Sequence, residues 1–244
     1  MKKSWFALLV SAVLLLSFAG CSSDITIGNK TLPRDTQDVS VCDSEISDLS
    51  PIVGFKDAVK ASVCSNTITD VSPLAELTQL QQLNCANNQV SDVSSLSALT
   101  NLTFLNLKGN QISDISMVSN LTKLETLYLA RNQISDISAI AGLTNLTDLD
   151  LASNQISDIS AISGLTKMVV LDLGNNPITD ISALSGLTGL VQLSIKGCDV
   201  QGEENLQVLM GLTNLDTLSL GDCFTDEQVE RLEEALPDCI VYSD

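Results

Sequence analysis

The sequence contains no histidine, only 3% aromatic residues and far fewer basic than acidic residues. Without histidine there is no imidazole to act as a general base or to bind zinc, and there is no Ser-His or Cys-His nucleophile pair. The 12 Lys and Arg residues are outnumbered by 30 Asp and Glu, for a formal charge of −18. A surface this negative repels phosphate backbones and anionic lipid headgroups, so no nucleic-acid partner is expected.

The N-terminal segment, residues 1–20, has the composition of an export signal. A short basic start precedes an apolar run from Trp5 to Leu16, which is too short for a comfortable membrane-spanning helix. The following Phe18-Ala19-Gly20-Cys21 resembles the lipobox of bacterial lipoproteins, although leucine usually stands first. We therefore predict a lipoprotein signal peptide over residues 1–20 and lipidation at Cys21. The protein would then be anchored in the bacterial cell envelope, facing the surface or the periplasm. The alternative is an ordinary signal peptide cleaved just before an incidental cysteine.

The middle of the chain repeats itself. Residues 110–131, NQISDISMVSNLTKLETLYLAR, recur over residues 132–153 as NQISDISAIAGLTNLTDLDLAS, and the same line continues in both directions. This fixed 22-residue period indicates the stacked coils of a solenoid. Each Leu-x-Leu segment predicts a short strand whose alternate side chains point inward. Since so short a coil leaves no room for a full helix beside the strand, short 3₁₀ turns are predicted on the outer side.

One asparagine recurs at the same place in successive coils. A buried amide can donate to and accept from the backbone of adjacent coils, whose turn groups would otherwise lack partners. We therefore predict a structural asparagine ladder, formed by Asn66, Asn88, Asn110, Asn132, Asn154 and Asn176.

An aspartate also recurs, each time just before a predicted outer turn. Such an oxygen can act as an N-cap and accept hydrogen bonds from free backbone N–H groups. A row of carboxylates also permits a calcium interpretation, because calcium takes oxygen ligands. Each aspartate has its own local partner and none lies in a dense ligand cluster, so we favour the caps and predict no metal or cofactor. The column is Asp48, Asp70, Asp92, Asp114, Asp136, Asp158 and Asp180.

The two ends depart from the repeat. Ile25-Thr26-Ile27 followed by Gly28-Asn29 predicts a β-hairpin that caps the first coil. Near the other end the coil from Cys198 to Cys223 is longer than the period, and Leu206, Leu209 and Leu212 within it have the spacing of an outer helix. The resulting division is residues 21–35 for the anchor, spacer and N-terminal cap, 36–223 for the array, and 224–244 for the C-terminal cap.

The C-terminal cap is predicted to be a helix followed by a strand. Thr225 to Gln228 matches a capping box, and Pro237 ends the helix. One further 22-residue period after Leu218 and Leu220 leads to Ile240 and Tyr242, so these two are assigned to the last strand in register with those leucines.

Two pairs of cysteines occupy equivalent positions in neighbouring coils. Cys42 and Cys64 are separated by one period of the repeat. Strands about 4.8 Å apart would bring them within disulfide range. Cys198 and Cys223 also share a column, where cysteine can simply replace the ladder asparagine as a small buried residue. Cys85 takes a leucine position and is assigned to the core.

The pattern L-x-x-L-x-L-x-x-N-x-I resembles the leucine-rich repeat family. The 22-residue period with N-x-I-S-D-I-S is similar to its internalin-type branch of bacterial surface proteins. The resemblance implies an α/β solenoid with a parallel β-sheet on the concave face, and recognition of proteins or cell surfaces through that face without enzymatic activity. Internalins usually carry a helical N-terminal cap, from which the predicted hairpin departs.

Side chains between the inward leucines face outward from the concave sheet. Most are small and polar, but the middle coils carry aromatic and charged residues together, which is typical of a binding surface. The candidate ligand-binding residues are Phe104, Lys108, Tyr128, Arg131, Asp148, Asp150, Val170 and Asp172.

We therefore predict a monomeric, non-enzymatic, surface-anchored lipoprotein that binds a protein or glycan through this face. A rigid structural or assembly spacer without a discrete ligand is the alternative. A third hypothesis, a carboxylate-dependent enzyme such as a glycosidase using Asp150 and Asp172, is disfavoured because an open sheet supplies no cleft.

Overall fold

The computed structural model describes residues 24–243. The predicted signal peptide and Cys21 lie outside the described residues. None of the helices within residues 24–243 is both long and apolar enough to cross a membrane. The fold is the predicted α/β solenoid, with a parallel sheet on one side and short 3₁₀ turns on the other.

Ten three-residue strands form the concave sheet, one from each coil, all parallel and in chain order. They are β3 (Asp38–Ser40), β4 (Lys60–Ser62), β5 (Gln82–Asn84), β6 (Phe104–Asn106), β7 (Thr126–Tyr128), β8 (Asp148–Asp150), β9 (Val170–Asp172), β10 (Gln192–Ser194), β11 (Thr217–Ser219) and β12 (Ile240–Tyr242). The central residue of each strand from β3 to β11 is buried, so its two neighbours face outward. This alternation places the candidate residues on one surface.

The outer side consists of seven 3₁₀ segments in the described chain: Ser50–Gly54, Ser72–Glu76, Ser94–Ala98, Ser116–Asn120, Ser138–Ile140, Ser160–Ile162 and Ser182–Leu184. Each begins beside an aspartate of the acidic column, but not as predicted. In the fifth segment the N-cap position is Ile137, and Asp136 lies one residue earlier. Its Oδ1 accepts the backbone N–H of Ser138 at 2.8 Å. Each aspartate therefore does accept a free backbone N–H, but it stands one residue before the N-cap. The N–H that it accepts belongs to the residue two positions later in the chain.

This hydrogen bond also affects the ionisation of the column. The backbone N–H of the serine two residues on lowers the pKa of six of its aspartates, which are Asp48, Asp70, Asp92, Asp136, Asp158 and Asp180. A carboxylate that accepts a backbone N–H is stabilised in its charged form. These six aspartates are thus charged at neutral pH.

The asparagine ladder joins each coil to its neighbour. Asn132 donates from Nδ2 to the carbonyl oxygens of Leu107 (3.1 Å) and Leu129 (2.8 Å), and its Oδ1 accepts the N–H of Ile112 at 3.1 Å. The same bonds recur at Asn88, Asn110, Asn154 and Asn176. At the next ladder position the thiol of Cys198 donates to the carbonyl of Leu173 instead. That thiol is free in the structure, as are Cys223 and the fully buried Cys85.

The N-terminal cap is a two-stranded antiparallel hairpin, β1 (Ile25–Ile27) and β2 (Lys30–Leu32), as the sequence predicts. Ile27 is fully buried against the first coil. Ile25 packs over Gly54, where an added Cβ would lie 2.3 Å from the Ile25 Cδ1 atom. The hairpin therefore covers apolar side chains that an uncapped first coil would expose.

Two helices lie near the C-terminus: α1 (Gly202–Met210) is the predicted outer helix of the longer coil, and α2 (Asp226–Ala235) belongs to the C-terminal cap. Thr225 and Gln228 form the predicted capping box. An ion pair between Glu203 and Arg231 connects the two helices. Asn205 of α1, which lies outside the repeat pattern, accepts the N–H of Ile181 and donates to the carbonyl of Thr179.

The predicted register of the last strand is wrong by one residue. Leu218 pairs with Val241, so Thr217 and Ser219 pair with Ile240 and Tyr242. A shift of one residue turns every side chain of a strand to the other face. Ile240 and Tyr242 are therefore 59% and 54% exposed instead of facing the core. The last coil is one residue longer than the period assumed for it.

Candidate functional site

Phe104 and Tyr128 form an aromatic pair near the middle of the concave sheet. Phe104 begins β6 and pairs with Thr126, whereas Tyr128 ends β7 and pairs with Asn106, so the two rings meet diagonally. Their centroids are 5.7 Å apart and their planes are at 85°, an edge-to-face arrangement. Both side chains are partly exposed. Such pairs are stabilised beyond the area they bury, and they hold each other in place.

An ion pair lies beside the tyrosine. Lys108 Nζ is 3.1 Å from Asp150 Oδ2, and the two side chains are 41% and 18% exposed. Lys108 follows β6 and Asp150 ends β8, so the lysine reaches across the coil that carries Tyr128. That coil has the small, buried Ala130 in the position equivalent to Lys108, which leaves space for the lysine stem. Asp150 is also the direct strand partner of Tyr128.

The surroundings of Tyr128 favour its neutral form. Partial burial raises the pKa of the phenol, and the charges of Asp148 and Asp150 raise it further. The hydroxyl therefore stays protonated at neutral pH and can donate or accept a hydrogen bond.

The acidic residues at the ends of β8 and β9 also have a structural contact. Asp150 Oδ1 accepts the N–H of Ala152 at 3.1 Å, and Asp172 Oδ1 accepts the N–H of Gly174 at 2.9 Å. The amide oxygens of Asn84 and Asn106 make the same bond in earlier coils. This contact needs one side-chain oxygen and no charge. Asp148, at the start of β8, accepts the hydroxyl of Thr147.

The remaining candidates are placed less centrally. Val170 begins β9 and is half-buried between its strand partners Asp148 and Gln192. Arg131 lies in the turn after β7, at a φ of 57°, and its side chain is exposed. The structure thus brings Phe104, Tyr128, Lys108 and Asp150 into one cluster, with Asp148, Val170 and Asp172 on the adjoining strands and Arg131 at the margin.

Two features of this face were not found from the sequence. A shallow hollow of about 380 Å³ lies on the N-terminal side of Phe104, lined also by Lys60, Gln82 and Asn84. At the far end, Ile240 and Tyr242 face outward because of the register described above. The interval from Leu218 to Val241, one residue longer than the period, is the signal that could have revealed the second feature.

Two observations concern metal binding and catalysis at this face. Within residues 24–243 there is no group of three or more Cys, Asp or Glu side chains positioned to hold a metal ion. The two carboxylates of the disfavoured glycosidase hypothesis, Asp150 and Asp172, are strand neighbours on an open sheet, and Asp150 is engaged by Lys108.

The repeat is matched by a family model. The model described as "Leucine Rich repeats (2 copies)" matches residues 60–98, 100–142 and 144–186, which is just over half of the chain. The chain belongs to the leucine-rich repeat family. Leucine-rich repeat proteins commonly bind proteins, and their internalin-like members are typically non-enzymatic binding scaffolds.

Solved structures place the chain among internalin-like proteins. It is 38% identical to the internalin inlF of Listeria monocytogenes, with a TM-score of 0.78, over 82% of this chain and 58% of that one. It is 30% identical to internalin C2 of the same organism, with a TM-score of 0.72, over 78% of this chain and 85% of that one. The chain thus spans less than two thirds of inlF. These matches confirm the predicted internalin-like branch, whose members are typically exported or surface proteins.

More distant proteins share the fold alone. A plant peptide hormone receptor, RGFR1, solved in complex with RGF2, is 17% identical with a TM-score of 0.65. No protein in the curated set matches the chain by sequence.

Proposed function

We propose that this protein is a lipid-anchored bacterial surface protein that binds a protein partner through the middle of its concave face. The observation that carries the proposal is the edge-to-face pair of Phe104 and Tyr128, which is partly exposed on the sheet of a chain with 3% aromatic residues. Aromatic side chains are the most frequent anchors of protein interfaces, because they bury large areas with few rotatable bonds.

The cluster is organised before a partner arrives. The two rings hold each other, and the Lys108–Asp150 ion pair closes the C-terminal side of Tyr128. A surface that is already ordered loses little conformational entropy on binding. This order supports a binding site over a rigid spacer, which would need no aromatic pair on its solvent-facing sheet.

Anchoring at Cys21 is part of the proposal. The spacer is very short, since β1 begins four residues after that cysteine. Removal of residues 1–20 would also remove two lysines, leaving 10 basic and 30 acidic residues and a formal charge of −20. Such a chain is repelled by anionic membrane lipids, so membrane attachment would depend on the lipid anchor at Cys21. We expect Cys21→Ser to move the full-length protein from the membrane fraction to the soluble fraction, and an unchanged distribution would contradict the anchor.

The binding face is tested with the soluble chain 22–244. Pull-downs from cell-surface fractions, followed by titration of each captured protein, compare the native chain with Phe104→Ala/Tyr128→Ala. A double substitution of outward residues farther along the sheet, Gln192→Ala/Ser219→Ala, is the matched control.

Loss of the pair should weaken binding by at least about 30-fold, which corresponds to the ~2 kcal/mol that a single interface hot spot contributes. The control should bind like the native chain. A partner that binds all three proteins equally would show that the aromatic pair is not part of the binding site.

A further inference from the structure

We infer that the partner presents a basic side chain about three residues from an apolar one, and that the basic group binds Asp172 and Asp148 beside the aromatic pair. This inference rests on the proposed function and specifies the chemistry of the partner. It follows from the charges on β8 and β9, from the short side chains that come after those strands and from the position of Lys108.

The negative charge of this region is not needed by the scaffold. Asp150 and Asp172 make the same backbone contact that Asn84 and Asn106 make with a neutral amide. An asparagine at either position would therefore keep the local hydrogen bond. At this position of the repeat, carboxylates occur in two neighbouring coils, as Asp150 and Asp172.

These charges also repel one another in the unbound protein. Asp150 and Asp172 are directly paired on adjacent strands, and Asp148 lies on the same face two residues before Asp150. Like charges opposite each other destabilise a sheet. Lys108 offsets one of the three carboxylates, so the region keeps an excess of two negative charges. A cation supplied by a partner would relieve the remaining repulsion.

Lys108 shows how a cation reaches this row. It extends over the small Ala130 to contact the carboxylate of the coil beyond. The equivalent positions in the next two coils are Ala152 and Gly174, so neither places a long side chain beside Asp172. Lys196 follows in the column, but its Cγ lies 3.1 Å from where a Cβ on Gly221 would be, so its stem extends toward the C-terminal coil.

The geometry also sets the spacing expected in the partner. Tyr128 ends β7 and Asp172 ends β9, two strands away. Two strand separations are about 10 Å, which an extended peptide spans with about three residues. An apolar side chain over Phe104 and Tyr128 and a basic side chain over Asp172 would thus be about three residues apart in an extended segment that crosses the strands.

A displayed library of random 12-residue peptides provides the probe. Peptides are selected on the chain 22–244, and the affinity of each is measured for the native chain, for Asp148→Asn/Asp172→Asn and for Phe104→Ala/Tyr128→Ala. Both Asn substitutions retain an oxygen for the existing hydrogen bonds. Glu233→Gln/Glu234→Gln, on the exposed side of α2, removes the same charge elsewhere and serves as the control.

We expect selected peptides to carry Lys or Arg about three residues from an aromatic or aliphatic residue. Their binding should weaken about ten-fold on the Asp148→Asn/Asp172→Asn chain, equivalent to about 1.4 kcal/mol, and stay unchanged on the control. Binding to the native chain should also weaken as salt is raised.

Each other outcome has a distinct meaning. Peptides that need the aromatic pair but bind the Asp148→Asn/Asp172→Asn chain normally would overturn the basic-partner inference and leave the proposed function standing. Peptides insensitive to Phe104→Ala/Tyr128→Ala, or a selection that yields none sensitive to it, would overturn both.

Discussion

Removing one amide of the ladder should destabilise the protein by an amount that the hydrogen bonds determine. In Asn132→Ala, the carbonyls of Leu107 and Leu129 each keep a second amide donor, from Asn110 and Asn154 respectively. The N–H of Ile112 has no other acceptor among residues 24–243 than Asn132 Oδ1. The substitution therefore leaves one buried donor unsatisfied, at a cost of about 1–3 kcal/mol.

Equilibrium unfolding checks this value. Urea unfolding followed by circular dichroism gives the free energy of unfolding, and Asn145→Ala is the matched control. Asn145 is exposed and its amide donates to the carbonyl of Thr122, so its loss should change stability by no more than about 0.5 kcal/mol.

Amide hydrogen exchange locates the effect. In Asn132→Ala the Ile112 amide should exchange faster, whereas the Ile134 amide, held by Asn154 at 3.0 Å, should stay protected. Equal stability loss in Asn132→Ala and Asn145→Ala, or unchanged exchange at Ile112, would refute the assignment of this amide as the acceptor for the neighbouring coil.

Two further substitutions test other parts of the array. Gly109 has a φ of 68° and a Cβ there would lie 2.5 Å from Asn87 Oδ1, so Gly109→Ala should lower the melting temperature, whereas Gly142→Ala, with open space around it, should not. A disulfide bond joins Cys42 and Cys64 in the structure, with a Cα–Cα distance of 4.6 Å and a sequence separation of 22. Cys42→Ser/Cys64→Ser should lose about 3 kcal/mol of stability. Reductant should then affect the native chain alone, and equal sensitivity of both proteins would contradict the bond.

The repeat itself could be predicted because its letters have fixed physical tasks. Leu127 and Leu129 recur in successive coils as core residues, and Asn132 recurs as the ladder amide. Asp136 recurs as the acceptor of a backbone N–H at the outer turn. One alignment on the 22-residue period therefore places all four. The last strand could not be placed this way, because Val241 replaces a leucine and comes one residue later than the period predicts. Where no strong pattern identifies the inward side chain, a strand register shifted by one residue is equally compatible with the sequence.

The site was only partly predictable for a different reason. The alignment put Phe104 and Tyr128 on one face, but their ring contact depends on the diagonal between neighbouring strands. The Lys108–Asp150 ion pair joins residues 42 positions apart, two coils away, and it forms because Ala130 leaves room between them. A contact between residues two coils apart depends on the size of the side chain in the coil between them. The residues found at one position of the repeat do not reveal such a contact.

The exchange of Asn106 for Asp150 between equivalent positions shows how such a face can change without cost to the scaffold. Both side chains accept a backbone N–H two residues on, so the local structure tolerates either. The core leucines and ladder amides lack this freedom, because each has buried partners in the neighbouring coil. Stability and recognition therefore depend on different residues of the same coil. Since the ladder fixes the distance between coils, a change of one outward side chain alters the charge of the face while the spacing that a partner must match stays the same.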